Sequence, residues 1–278
     1  MYLPVFAVAV GALSLAYGTS GDGPSSGVTG VIYLALGALT LRTCGRANPV
    51  PPRRGILPWL QIVALLAIAA FSAVDGLYFH HLVATGVPLW TPLRFTIFHE
   101  ATRIFNDRAL GSGIANATFY VVPPLIVLLA LQVPPSSFGL GRFQSKSTIV
   151  AAIWLIPAVI AVTWGAMASG GTLPTLVHRV LTDLLQNGAT EEFLWRGAIL
   201  GRLRLFMRND VAVLLQAVLF GLWHAGADIS AFQGNIWLAC AEAVAVQTTF
   251  GIAMGYVALR SGNIAVSSIF HALIDALP

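Results

Sequence analysis

The sequence predicts an all-α fold: a polytopic transmembrane helical bundle of eight to nine spans. Three observations lead there. The 278 residues are 57% hydrophobic and only 9% charged, whereas soluble domains carry about 25% charged residues. So few charges cannot cover the surface of a water-soluble fold. The apolar residues come in long runs, and a helix needs about 20 residues to cross the hydrocarbon at about 1.5 Å each. Within those runs apolar and polar residues do not alternate, as membrane β-barrel strands require.

Nine runs can be read: 2–17, 28–42, 56–75, 114–133, 148–168, 177–203, 211–226, 236–259 and 263–277. The second and the last are short, which leaves eight spans as good a reading as nine. The first has no basic residue before it, and "LAYGTSG" is a poor cleavage site, so it reads as a span rather than a removed signal peptide. Between the third and fourth runs, "VPLWTPLRFTIFHEATRIFNDRALGSG" mixes aromatics with arginines at helical spacing. It suits an amphipathic interfacial helix and a plain extramembrane loop equally. "VPPSSFGLGRFQSKST" is a Pro/Gly/Ser linker before the fifth run. It divides the chain into a hydrophobic region, 1–135, of unassigned role, and a half, 140–277, that holds most of the buried polar residues.

Basic residues orient the bundle. Arg42, Arg46, Arg53, Arg54, Arg142, Lys146, Arg202, Arg204, Arg208 and Arg260 lie in loops that alternate with loops having none, apart from three arginines in the long connection 76–113. The positive-inside rule then places the N-terminus in the cytoplasm. It also accounts for the net charge of +4 without a nucleic-acid partner. Arginine supplies nearly all the basic residues and alanine is abundant, which suggests a GC-rich genome and a bacterial plasma membrane. Cys44 and Cys240 lie too far apart in sequence to suggest a disulfide framework or a zinc motif.

Several motif matches lack their context. "GPSSG" (Gly23 to Gly27) matches a serine-hydrolase elbow, but falls in an expected short loop without the flanking strand and helix. "GTSG" (Gly18 to Gly21) ends a run where a serine-protease motif should open an interior helix. "HEATR" (His99 to Arg103) has arginine where a zinc-binding HExxH needs its second histidine. "GIAMG" (Gly251 to Gly255) is a small-residue pattern suited to helix packing.

The sixth run differs from the rest. It carries His178, Arg179, Asp183, Gln186, Asn187, Glu191, Glu192 and Arg196. Each ionisable residue within a membrane costs ~3 kcal/mol on insertion scales. Such a helix must face protein or a water-filled cavity. Glu192 and Arg196 are one turn apart and share a face, as a neutralising salt bridge would. Glu191 points about 100° away and is free to face something else. Downstream, "FGLWH" places Phe220 one turn before His224, and "FHALID" places His271 one turn before Asp275. A lone histidine of this kind is often a packing residue, but three ionisable positions on three helices are harder to dismiss. Counted from the expected cytoplasmic ends, Glu191 and His224 lie roughly 18–20 Å deep and His271 about 14 Å. Given tilt, the three can share one layer.

"EEFLWRG", "FGLWH" and "HALID", in this order and spacing, resemble the EExxxR, FxxxH and HxxxN/D motifs of the CPBP intramembrane proteases. That family includes the type II CAAX prenyl endopeptidases and bacteriocin-processing and immunity-associated relatives. The resemblance covers about 140–277. It implies that Glu191 activates the attacking water with help from His224. It implies too that His271 and residue 275 stabilise the oxyanion, and that Glu192, Arg196 and Phe220 support the site. The implied substrate is a peptide or membrane protein in the lipid bilayer, a prenylated one included. The chemistry is coherent by itself: a carboxylate away from bulk water is a better base near neutral pH, and an oxyanion donor in a dry site contributes about 3–4 kcal/mol. Position 275 is Asp where the best-understood relatives have Asn. An ionised Asp cannot donate to an oxyanion, so it is protonated, or orients His271, or helps bind a metal. Glu, two His and Asp are acceptable zinc ligands, and the resemblance implies a glutamate- or metal-dependent, metalloprotease-like enzyme; the missing HExxH spacing weighs against a tight zinc site, so a metal such as zinc is an option and not a requirement. The rival readings are a transporter or proton-coupled carrier, whose interior carboxylates bind protons or substrate, and a non-catalytic binding protein of the same fold. Repeated halves would favour the carrier, and none is seen.

Overall fold

The computed structural model describes residues 23–45, 55–134, 137–153 and 155–276. Among the described residues it is helical, with a single isolated bridge between Leu140 and Asn263 and no longer strand. Helix α1 (Gly23–Thr43) takes in "GPSSG", so the serine pattern expected in a loop opens a helix instead. The expected first span, 2–17, and the question of a signal peptide lie outside the described residues.

Helix α2 (Ile56–Phe79) is apolar throughout and starts at Gly55, whose φ of 120° suits glycine alone. The connection after it is ordered. Helix α3 (Trp90–Phe105) forms as the amphipathic reading expected. Asp107 then caps α4 (Arg108–Ala130) by accepting from the Leu110 backbone N–H at 3.0 Å. Helix α5 spans Lys146–Ala168.

The polar run, 173–203, is a helix of mixed pitch, α6. Thr172 caps it, and α-helical turns alternate with π-helical ones at Leu184–Gly188 and Phe193–Ile199. Wide turns of this kind are frequent at functional sites, and Glu191 and Glu192 lie on the short α-helical piece between them. Helix α7 (Asn209–Trp223) is followed by α8 (Ala225–Ala231), bent from it by 46° at His224. Helix α9 (Ile236–Ser261) ends at Gly262, with φ of 72°, and α10 (Ala265–Asp275) follows at once. The Pro/Gly/Ser linker is pinned to this last corner. Ile264 N–H donates to the Gly139 carbonyl at 2.9 Å, and Asn263 Nδ2 to that of Gly141 at 2.8 Å.

Among the described residues, four helices can cross a membrane by length and composition: α2, α4, α5 and α9. The bent pair α7–α8 makes a fifth if it is one broken span, and two shorter apolar helices are Val28–Thr43 and Ala265–Asp275. The eight to nine spans expected are not confirmed by this count, which leaves out the first expected run. The rest of the difference arises because α6 is interrupted by polar residues and π turns, α7 is bent, and α1 and α10 are short. Outward faces expose Trp59, Val63, Ile126, Ile160 and Trp164. Apolar exposure on that scale is foreign to a soluble monomer and carries no penalty against lipid chains. The buried centre contains Leu194, Trp195, Ile199, Phe220 and Met254, so α6, α7 and α9 form its heart.

Candidate active site

Glycine sets how closely the site helices approach. A Cβ at Gly188 would stand 2.5 Å from the Ser268 carbonyl oxygen and 3.0 Å from Ala272 Cβ. Its absence lets α6 press against α10 and brings Asn187 and Glu191 beside His271 and Asp275. Gly251 does the same for α9 against α7, where a Cβ would lie 2.9 Å from Ala217 Cα. The "GIAMG" pattern therefore serves packing, as its spacing suggested.

The two glutamates take different environments. Glu192 is fully buried, and its Oε1 lies 2.8 Å from an Arg196 terminal nitrogen. That guanidinium stacks over Phe220 at 4.3 Å from the ring centre and faces Phe250 at 5.6 Å. The same Glu192 oxygen contacts His271 Nδ1 at 3.2 Å. Glu192 and Arg196 thus form the expected buried pair and also hold the His271 ring. Glu191 faces elsewhere: its Oε2 lies 3.9 Å from both His224 Nε2 and His271 Nε2. That oxygen is buried and makes no hydrogen bond within the protein.

His224 sits at the α7–α8 bend. Its Nδ1 lies 2.9 Å from the Phe220 carbonyl oxygen. A carbonyl can only accept, so Nδ1 donates there, and neutral His224 turns the lone pair of Nε2 toward Glu191. The Phe220 ring stands edge-on to His224 at 4.5 Å and Phe250 edge-on to His271 at 4.6 Å. These rings hold the imidazoles in place and keep water from their flanks. On α10, Asp275 Oδ2 is 3.5 Å from His271 Nε2 and accepts from Asn187 Nδ2 at 2.7 Å.

All seven residues singled out from the sequence therefore meet: Glu191, His224, His271 and Asp275 around one gap, with Glu192, Arg196 and Phe220 behind them. Two cavities, of about 660 and 420 Å³, open on this point, and Asn187, Glu191 and His224 line both. The smaller adds Tyr33, Asp183, His271 and Asp275. The larger runs under α2, α3 and α4 and includes Arg94, Arg108, Tyr120 and His80. Burial and the neighbouring His81 hold His80, beyond the end of α2, below the ordinary imidazole range. Arg94 and Arg108 bring guanidinium groups to that cavity wall, and Glu191 a carboxylate. No group of three or more His, Cys, Asp or Glu residues among the described ones is arranged to hold a metal ion. The donor set considered for zinc does not form a cage, and the metalloprotease-like expectation has no support here.

Some site residues were not singled out from the sequence. Asn187 was visible only as one polar position in α6, although its place one turn before Glu191 was a usable signal. Arg94 gave none. It belongs to the N-terminal half, to which no site role was attached. It bonds Asp75 at 2.9 Å, Asn116 at 2.7 Å and Tyr120 at 3.2 Å. Asn116 in turn donates to the Gln186 carbonyl at 2.7 Å, so α2, α3 and α4 brace the π turn that carries Asn187.

Comparison with known proteins agrees with this geometry in extent. Residues 173–277, from the start of α6 to the end of α10, match the family model described as type II CAAX prenyl endopeptidase Rce1-like. No curated protein and no solved structure matches the chain. The match spans all three motifs, and the family it names is one of peptidases. Residues 173–277, less than half of the chain, are thus similar to an Rce1-like domain, in line with the CPBP proteins that the three motifs resemble.

Proposed function

We propose that the protein is an intramembrane endopeptidase that hydrolyses peptide bonds at or near the membrane, with glutamate-activated water. The observation that carries this reading is the convergence of Glu191, His224 and His271. One unpartnered carboxylate oxygen stands 3.9 Å from two imidazole nitrogens on different helices. Contacts of that length suit a water bridging the groups. Glu191 takes the proton of the attacking water, and the Nε2 lone pair of His224 helps to align it. His271 faces carboxylates at both ring nitrogens and satisfies both only by donating from each, which suits it to hold a developing oxyanion. Asp275 orients His271 from one side, and Glu192 with Arg196 from the other. No step runs through a metal.

The substrate is a peptide or membrane protein reaching the site from the bilayer, with prenylated chains among the candidates. The domain division follows: 140–277 forms the protease core, and 1–135 forms the helices that wall the larger cavity. In a bundle of eight to nine spans, α1, α6 and α10 join the longer helices as short or broken spans. The N-terminus faces the cytoplasm of a bacterial cell.

The experiment compares new peptide termini by mass spectrometry in host membranes carrying the wild-type protein or Glu191→Gln. The substitution keeps the size and removes the base. Termini present only with wild type are the expected result and identify the substrate. Identical termini, with both proteins equally abundant and folded, would return the glutamates to a structural or proton-carrying role.

A further inference from the structure

One polar group at the centre of the site has no part in the hydrolysis described above. Asn187 lies one turn before Glu191 on α6 and lines both cavities together with Glu191 and His224. Its Nδ2 donates to Asp275 Oδ2 at 2.7 Å. An ionised carboxylate only accepts, so this contact fixes which way the amide points. The amide nitrogen has two hydrogens, and Asp275 takes one. His271 Nε2 lies 3.5 Å from the same Asp275 oxygen, a contact too long to engage its N–H fully. The two donors thus share one Asp275 oxygen in the cavity that Glu191 also lines, and His271 Nε2 is 3.9 Å from Glu191 Oε2. The other side-chain amide of the smaller cavity, Gln247, is engaged elsewhere, donating to Asp228 at 3.1 Å.

We infer that Asn187 is a catalytic residue: its second amide N–H, with the Nε2–H of His271, holds the oxygen of the scissile carbonyl. The inference rests on the protease reading. In the step, an O–H bond of water breaks and its proton goes to Glu191. The water oxygen bonds to the carbonyl carbon, and the C=O π pair moves onto the carbonyl oxygen, between the two N–H groups. The pair then returns, the C–N bond breaks, and Glu191 gives its proton to the leaving nitrogen. Asp275 cannot donate to that oxygen when ionised, but it positions the group that can.

The test uses the full chain in detergent and a peptide spanning a cleavage site found in the Glu191→Gln comparison. The kinetics of Asn187→Ala, Asn187→Asp, Asp275→Asn and the exchange Asn187→Asp/Asp275→Asn are measured. A phosphinate analogue of the peptide, which mimics the tetrahedral intermediate, is titrated against each. Asn187→Ala should lower kcat by about 10²–10³-fold, as for loss of one oxyanion donor, with KM little changed. It should weaken the phosphinate in parallel. Asn187→Asp should be worse, and the exchange, which restores one amide and one carboxylate, should recover at least about tenfold over it. Wild-type kcat in Asn187→Ala, or a fall in kcat with unchanged phosphinate affinity, overturns the assignment. Should Asn187→Ala fail to fold, the exchange decides: no recovery over a folded Asn187→Asp has the same consequence. A wild-type protein that cleaves nothing beyond Glu191→Gln would instead bring down the protease reading itself, and this inference with it.

Discussion

At the scale of single residues, two adjacent glutamates do different work because one residue is about 100° of helix. Glu192 turns toward Arg196 and His271, and Glu191 toward the two cavities. The pair with Arg196 is fully buried, so removing one partner strands a charge. Arg196→Met should lower stability by about 3–5 kcal/mol, measured as thermal unfolding in detergent. Replacing both partners, as Arg196→Met/Glu192→Met, should unfold less readily than the single variant, yet should remain inactive because His271 Nδ1 loses its acceptor. An active double variant would show that Glu192 does not orient His271.

The spacing of Glu192 and Arg196, and the one-turn pairs Phe220–His224 and His271–Asp275, were legible because helical periodicity is local. The partners of Asp275 were not. Whether it faces a metal, an oxyanion or a histidine depends on what stands opposite, and Asn187 is 88 positions away in sequence.

At the scale of helices, close approach and broken pitch make the site. Gly188 sits within a π turn, against the α10 backbone. Gly188→Ala should push α6 from α10, costing about 1–3 kcal/mol and separating Glu191 from His271. The check is thermal unfolding together with kcat on the peptide used above. Unchanged values for both would mean that the α6–α10 distance does not govern the chemistry. Sequence reading found these helices but gave them more even spans than they have. Periodicity reveals an apolar run, whereas a π turn or the 46° bend at His224 comes from how neighbouring backbones pack and cap. The connection 76–113 illustrates this: its amphipathic pattern allowed helix or loop, and α3 is anchored in the bundle through the bonds of Arg94 to Asp75, Asn116 and Tyr120.

At the scale of the whole molecule, the N-terminal helices are part of the cavity and not a separate appendage. Asp75 is fully buried, and Arg94 is the ion-pair partner found for it. Arg94→Met should therefore destabilise the protein by about 3–5 kcal/mol and loosen the brace from Asn116 to Gln186. Reduced melting temperature together with reduced turnover is the expected outcome. A variant that melts lower but turns over peptide at the wild-type rate would confine Arg94 to stability.

The sequence by itself determined the solvent and the helix class, because apolar content and run length are sums over local composition. It also determined which side chains are too costly to bury without purpose: Glu191, Glu192, Arg196, His224 and His271 stand out from their apolar surroundings before any fold is known. Only the tertiary structure decided that these residues meet, that Asn187 holds Asp275, and that Arg94 from the other half braces the same place. Contacts between distant positions depend on helix separation, bend and rotation. Those are settled by packing across the whole bundle, and no local pattern encodes them.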